Sequence, residues 1–454
     1  MRSLVTVHRW LGIGLCLFFA MWFASGLVMM YVPFPALPES GRLAYLAPID
    51  TAAIRVAPFD AAAQCGPEQL AGLRLLSVAE RPAYVCHFNN APVAVIFADD
   101  GTLPSSDEVV APGLQGPFDY DQWVVHQRFD PYRPFYRHDL NDDAGTQLYV
   151  SGRTGEILQR TTSQQRSWNY LGAVVHWIYP TVLRKNWALW DQTVWWLSLA
   201  GMVGVLIGLY LGVKALLRAR KSGRECISPY RAWMRWHHIL GLFSGLFVLS
   251  WIFSGWLSMD HGRLFSVPDP ATDQVAAFRG GSLGEIAAQV PVRNLQAVSG
   301  AREISFHALA NQAIVAVKED TGVITQPPIT EPLLREAAGM AWPGYEIAAL
   351  SVVAEDDIYT SLREGSLPEG SLRITLADES DTWIHVDPGN GEILSLIDRS
   401  RRAYRWLYNG LHSLDFPGLV DNRLLWLTVM TALLGLGLAF SMTGIVISAR
   451  YLLR

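Results

Sequence analysis

Four stretches of this chain run for about 20 residues or more without one Asp, Glu, Lys or Arg: Trp10 to Pro38, Val194 to Val213, Ile239 to Met259 and Leu424 to Ala449. At about 1.5 Å per helical residue, about 20 residues cross a ~30 Å hydrocarbon layer. The pattern predicts four membrane spans separated by polar blocks. Half of the residues are hydrophobic and only 17% are charged. A soluble enzyme, a nucleic-acid binder and a secreted disulfide scaffold are excluded on these grounds. The chain divides into a first span (1–38), a polar block (39–165), an amphipathic helix with the second span (166–217) and a basic loop (218–236). A third span (237–259), a second polar block (260–400) and an amphipathic helix with the fourth span (401–454) complete it.

Charge sets the expected orientation. Lys214, Arg218, Arg220, Lys221, Arg224, Arg231 and Arg235 crowd the loop between the second and third spans, against the single acid Glu225. With Arg2, Arg9, Arg450 and Arg454 at the outer limits of the first and last spans, this side holds eleven cations. The rest of the chain holds 25 cations and 40 acids. The positive-inside rule puts the loop and both termini in the cytoplasm and both polar blocks outside, at the inner membrane of a bacterium. The first apolar run is too long for the core of a cleaved signal peptide. Cys65 and Cys86 fall in the outer block, where a disulfide can persist, although their spacing does not prove one. Cys16 and Cys226 are expected to be free.

The chain reads as two copies of one unit. His8-Arg9-Trp10-Leu11-Gly12 opens the first span and His237-His238-Ile239-Leu240-Gly241 the third; the same offset pairs Trp22 with Trp251, Ser25 with Ser254 and Gly26 with Gly255. A second constant offset pairs Leu140 with Leu376, Gly155-Glu156-Ile157-Leu158 with Gly391-Glu392-Ile393-Leu394, and His176 with His412. Two parallel repeats are implied, each a span, an outer domain, a short amphipathic helix and a second span. Gln147 to Ser151 alternates as a strand, turns at Gly152 to Gly155 and returns as a second strand; His385 to Leu394 repeats that hairpin. The fold class expected is a four-span helical bundle bearing two outer α+β domains.

Among eleven histidines, His8, His237, His176 and His412 stand apart, because both halves place them alike. One pair lies at the inner mouths of the spans and one at their outer ends. An ionisable group at the membrane boundary marks a ligand site or pathway. Two imidazoles facing across a bundle axis suit axial ligation of haem iron from both sides. Gly12 and Gly241, one turn beyond the inner pair, leave room for a flat macrocycle. Close helix packing is the competing reason for glycine, and Gly204, Gly208 and Gly212 read that way. His238 and His261 are lesser alternatives to the inner and outer ligands. His87, His307 and His385 read as ordinary surface or loop histidines. His126 and His138, whose repeat partners are Leu362 and Ile374, belong to one half only and suit either a surface or a substrate-docking role.

The span-opening His8-Arg9-Trp10-Leu11-Gly12, the hairpin Tyr149-Val150-Ser151-Gly152-Arg153-Thr154-Gly155-Glu156 and the helix carrying His176 resemble the PepSY-associated transmembrane family. The resemblance covers essentially the whole chain. It implies PepSY-like periplasmic domains, two b-type haems held by His8 with His237 and His176 with His412, and electron transfer to a ferric siderophore or another Fe(III) chelate. Reduction would release iron, since hard oxygen donors hold Fe(II) less tightly. No flavin reductase domain is fused here, so the donor would be separate, a quinol or a cytoplasmic reductase. The expected surroundings are membrane lipid, with no nucleic acid. The rival readings are a non-enzymatic membrane sensor that regulates a periplasmic partner and a transporter. Spans without interior charges or proline breaks speak against the transporter.

Overall fold

The computed structural model describes residues 2–66, 70–89, 91–223, 227–261, 265, 270–319, 322–362 and 365–453. Arg224, Glu225, Cys226 and Arg454 lie outside the described residues. Four helices are long and apolar enough to cross a membrane: α1 (Arg2–Met29), α2 (Trp187–Lys221), α3 (Ala232–Leu257) and α4 (Arg423–Leu452). Each contains most of one charge-free run. α1 stops at Met29, nine residues short of that run's end, because Pro33, Pro35 and Pro38 cannot continue a helix. α2 and α4 begin alike, with the side chains of Asn186 and Asn422 accepting the backbone N–H of Leu189 and Leu425. α1 packs against α2 and α4, and α3 closes the ring against the same two helices. Contact is close where glycine permits it: a Cβ on Gly437 would sit 2.4 Å from the ring of Phe23, and one on Gly245 would sit 2.3 Å from Leu209.

The polar blocks fold as α+β, and they meet. One antiparallel sheet runs Gly322–Gln326, Gln312–Glu319, Glu303–Leu309, Leu70–Val78, Arg81–Phe88, Ala94–Phe97. Each block gives three neighbouring strands. The join pairs Leu73 with Phe306, Arg74 with Ser305, and Leu75 with Ile304. Alternation then sorts the side chains. Leu73, Leu75, Ile304 and Phe306 enter one core, under the helix Pro58–Cys65 and the short turns at 283–289. Leu76 and Val78 enter a second core with Val85 and Phe97 on the opposite face. Cys65 and Cys86 are joined in a disulfide, and Cys16 is free and buried.

Arg74 and Glu303 project from the join into a buried charge network. Arg74 contacts Glu156 at 2.9 Å and Glu303 at 2.7 Å, Arg42 contacts the same two acids, and Lys318 lies 2.8 Å from Glu303. Both glutamate side chains are fully shielded from solvent. Burial alone would raise the Glu303 carboxyl, but Arg74, Arg42 and Lys318 hold it well below the usual carboxylate range. Glu39 at the edge, paired with Arg42 and Lys318, drops to about 2 against the opposing effect of burial. The Nε of Arg74 donates to Nε2 of His87 at 2.8 Å. Burial and that guanidinium lower His87 to about 4. His385 accepts from Nε of Arg373 in the same way and is fully buried. His307 bonds Ser305 and lies 3.0 Å from Glu392. All three histidines expected on surfaces or in loops therefore stand on strands with polar partners.

Two four-stranded antiparallel meanders lie beyond this sheet. The first comprises Gln115–Phe118, Phe135–Asp139, Gln147–Ser151 and Ile157–Thr161; the second comprises Ile347–Val352, Leu372–Leu376, Trp383–Val386 and Ile393–Ile397. Each last hairpin matches the one expected from sequence. Each leads into a short helix, Ser163–Asn169 or Arg399–Arg405, which widens into a π-type turn at Tyr170–Val174 or Trp406–Gly410. Both helices start about three residues earlier than the apolar pattern suggests. Thr162 caps the first through the N–H of Gln165, and Asp398 caps the second through the N–H of Arg401.

Candidate functional site

The widened turns deliver His176 and His412 to the sheet-side end of the four long helices. Their ring centres are 6.3 Å apart, with the planes at 73°. Ser25 on α1 meets Nδ1 of His176 at 3.0 Å, and Ser254 on α3 meets Nδ1 of His412 at 3.0 Å. A Cβ on Gly26 or Gly255 would stand 3.6 Å from Cε1 of the respective ring. Two further bonds fix the segments that follow the histidines. The indole of Trp190 donates to Trp177 O, and that of Trp426 donates to Ser413 O, both at 2.9 Å. Trp22 adds a bond to the carbonyl of His176. With Nδ1 engaged, the other nitrogen of each ring, Nε2, is left as the donor toward a metal. π-type turns are rare and occur most often at functional sites.

His8 and His237 lie at the opposite end, near the basic loop, and both line one cavity of about 400 Å³. Leu11, Leu15, Phe19, Leu242 and Ile447 make its wall predominantly apolar. Nδ1 of His8 bonds Gly204 O at 3.0 Å, and Nδ1 of His237 bonds Oγ1 of Thr443 at 2.9 Å. His237 also stacks on Phe440. Gly12 lines the cavity, and a Cβ there would meet nothing. Gly241 also lines it, although its Cβ would press on Phe440 at 3.1 Å. The glycine that makes room for an imidazole is Gly208, whose Cβ would stand 2.6 Å from Cε1 of His8. Gly444 holds the corresponding place, 3.8 Å from Cε1 of His237. Gly208 was expected to serve helix packing alone. An unbroken i, i+4 glycine run in a helix opposite a histidine is the signal that could have revealed it.

The remaining candidates fall elsewhere. His238 bonds Gly212 O through Nε2. His261 pairs with Asp191 at 2.5 Å instead of joining the sheet-side histidines. His126 caps a short turn by accepting the N–H of Arg128, and His138 is exposed on a strand opposite Leu148. Among the described residues, no group of three or more His, Cys, Asp or Glu is disposed to hold a bare metal ion.

The chain matches no curated protein. The sequence model of the PepSY-associated TM region matches residues 5–450, nearly the whole length. With four apolar helices, α+β domains and a family match of this extent, the chain belongs to the PepSY-associated TM region family of membrane proteins.

Proposed function

We propose that this protein is a transmembrane haem b conduit in the bacterial inner membrane that reduces chelated Fe(III) outside the cytoplasm and so releases Fe(II). The observation that carries the reading is the sheet-side pair: two imidazoles 6.3 Å apart, each oriented through Nδ1 by a serine from a corresponding position. Imidazoles that each place a nitrogen about 2 Å from one iron have ring centres about 6 Å apart. A pair of histidines supplies only two donor nitrogens, so it would suit a metal whose remaining ligands come from a macrocycle. His176 and His412 would hold one haem, and His8 and His237 a second in the apolar cavity, whose Gly12 wall leaves space for a flat group. Haem bound there would supply one-electron chemistry at each end of the bundle. The serines, Thr443 and the Gly204 carbonyl fix the ring orientations.

The orientation and duplication belong to the same reading. The basic loop faces the cytoplasm and both α+β blocks face outward. The two halves are repeats of one unit, supported by the recurrence of meander, capped short helix, π-type turn and Asn-capped long helix in the same order. The electron donor is a separate quinol or cytoplasmic reductase. Purified protein reduced anaerobically should show a b-type spectrum and reoxidise when a ferric trihydroxamate is added. Colourless protein after expression with ample haem would instead favour a non-enzymatic membrane sensor.

A further inference from the structure

The sheet-side face carries a second cavity, of about 1030 Å³, between the ends of α2 and α3 and the second meander. The helix leading to His412 contributes Arg401, Tyr404, Arg405 and Asn409 to its wall. Asp191 of α2 and His261 beyond α3 also line it and are hydrogen-bonded through Nε2 of His261 at 2.5 Å. The His261 ring lies flat on Trp195, 4.9 Å between centres and 9° between planes. Asp191 is 4% exposed, and its Oδ1 has no hydrogen-bond partner among the described residues. A buried carboxylate oxygen left this way costs free energy that the fold alone does not require.

The other half has neither an acid nor a histidine at these two positions. In the register that pairs His176 with His412 and His8 with His237, Asp191 corresponds to Leu427 and His261 to Val32. In that half Phe34 packs against Trp123, Trp177 and Tyr179. The counterparts of those last three are Tyr359, Ser413 and Asp415.

We infer that this cavity docks the metal chelate and that His261, held by Asp191, hydrogen-bonds the bound ligand. The inference deepens the proposed function and rests on it for the identity of the ligand. Nε2 of His261 is committed to Asp191, which leaves Nδ1 as the ring nitrogen available to a ligand. Arg401, over the face of Tyr404, supplies positive charge toward an oxygen-rich ligand. The size excludes a bare ion as the sole occupant and suits a compact chelate. The polar wall distinguishes it from the apolar cavity at the loop-side end, which is better matched to a hydrophobic group.

The test is calorimetric titration of the purified full chain with the gallium(III) complex of a linear trihydroxamate, which takes the ferric geometry and is not reduced. One saturable site is expected. Asp191→Asn and His261→Gln should each weaken it by about tenfold, the loss of one charge-assisted hydrogen bond. Ser366→Trp, which adds bulk to the cavity wall, should abolish it; circular dichroism and gel-filtration elution unchanged from wild type establish that each variant is folded. Wild-type affinity in all three variants, no binding by the wild type, or displacement of the complex by a short-chain quinone would each overturn the inference. Haem-replete protein that fails to bind the gallium chelate defeats the docking site alone. Chelate binding by protein with no haem spectrum defeats the conduit alone.

Discussion

Ser25 and Ser254 are small groups with a large assigned role: each fixes one sheet-side imidazole through a single 3.0 Å contact. Partners of this kind set both the orientation and the basicity of a ligating histidine, and their loss costs about 10–100-fold in metal affinity. Ser25→Ala and Ser254→Ala should therefore release haem at least about tenfold faster to an excess of apo-haem acceptor, with the α-helical signal unchanged. On the six-stranded sheet, His87 is neutral in the fold, at about 4 against an ordinary 6.5. As the pH falls from 6.5 toward 4, the unfolded chain takes up a proton that the folded chain refuses. Stability is therefore lost through that window and levels off below it. His87→Gln should flatten the pH dependence of thermal unfolding between those limits. An identical slope in the variant would show that His87 is protonated in the fold as readily as out of it.

At the scale of elements, the long helices need their glycines where histidines cross. Gly208→Val would drive a branched side chain into His8, displacing it from the cavity. The expected result is one haem per chain in place of two, with the sheet-side pair still loaded, read from the haem-to-protein ratio. Much at this scale was legible in the sequence. Charge-free runs located all four long helices, and alternation with glycine turns located the hairpins at Gln147–Thr161 and Trp383–Ile397. Equal spacing singled out the four histidines. The end of α1 was misjudged because apolar prolines extend a hydrophobic run without extending a helix. Neither the register of Leu73 with Phe306 nor the meeting of Asp191 with His261 could be read from local pattern, since each joins residues about 70 positions or more apart. The disulfide was open for a simpler reason: two cysteines in one polar block permit a bond, and only the pairing of neighbouring segments in space makes it.

Across the whole molecule, the six-stranded sheet and its charge network tie one half to the other. Glu303 of the second half bridges Arg42 and Arg74 of the first and Lys318 of its own. Such a network adds less stability than its contacts suggest, because desolvation offsets the attraction. Breaking it is a different matter. Glu303→Leu leaves buried guanidinium groups short of a partner and should cost about 3–5 kcal/mol. Limited proteolysis should then cut within the polar blocks under conditions in which the wild type is resistant. The same join holds the ends of α1 and α3 in fixed relation, and with them the serines that address His176 and His412.

The central claim is that imidazoles from the two halves grip haem in pairs, one pair at each end of the bundle. The most direct measurement is haem content by pyridine haemochromogen assay on the purified wild type and on four single variants, His8→Ala, His237→Ala, His176→Ala and His412→Ala. The account predicts two haems per chain in the wild type and one in each variant. Full haem content in all four variants, or none in the wild type, would contradict it.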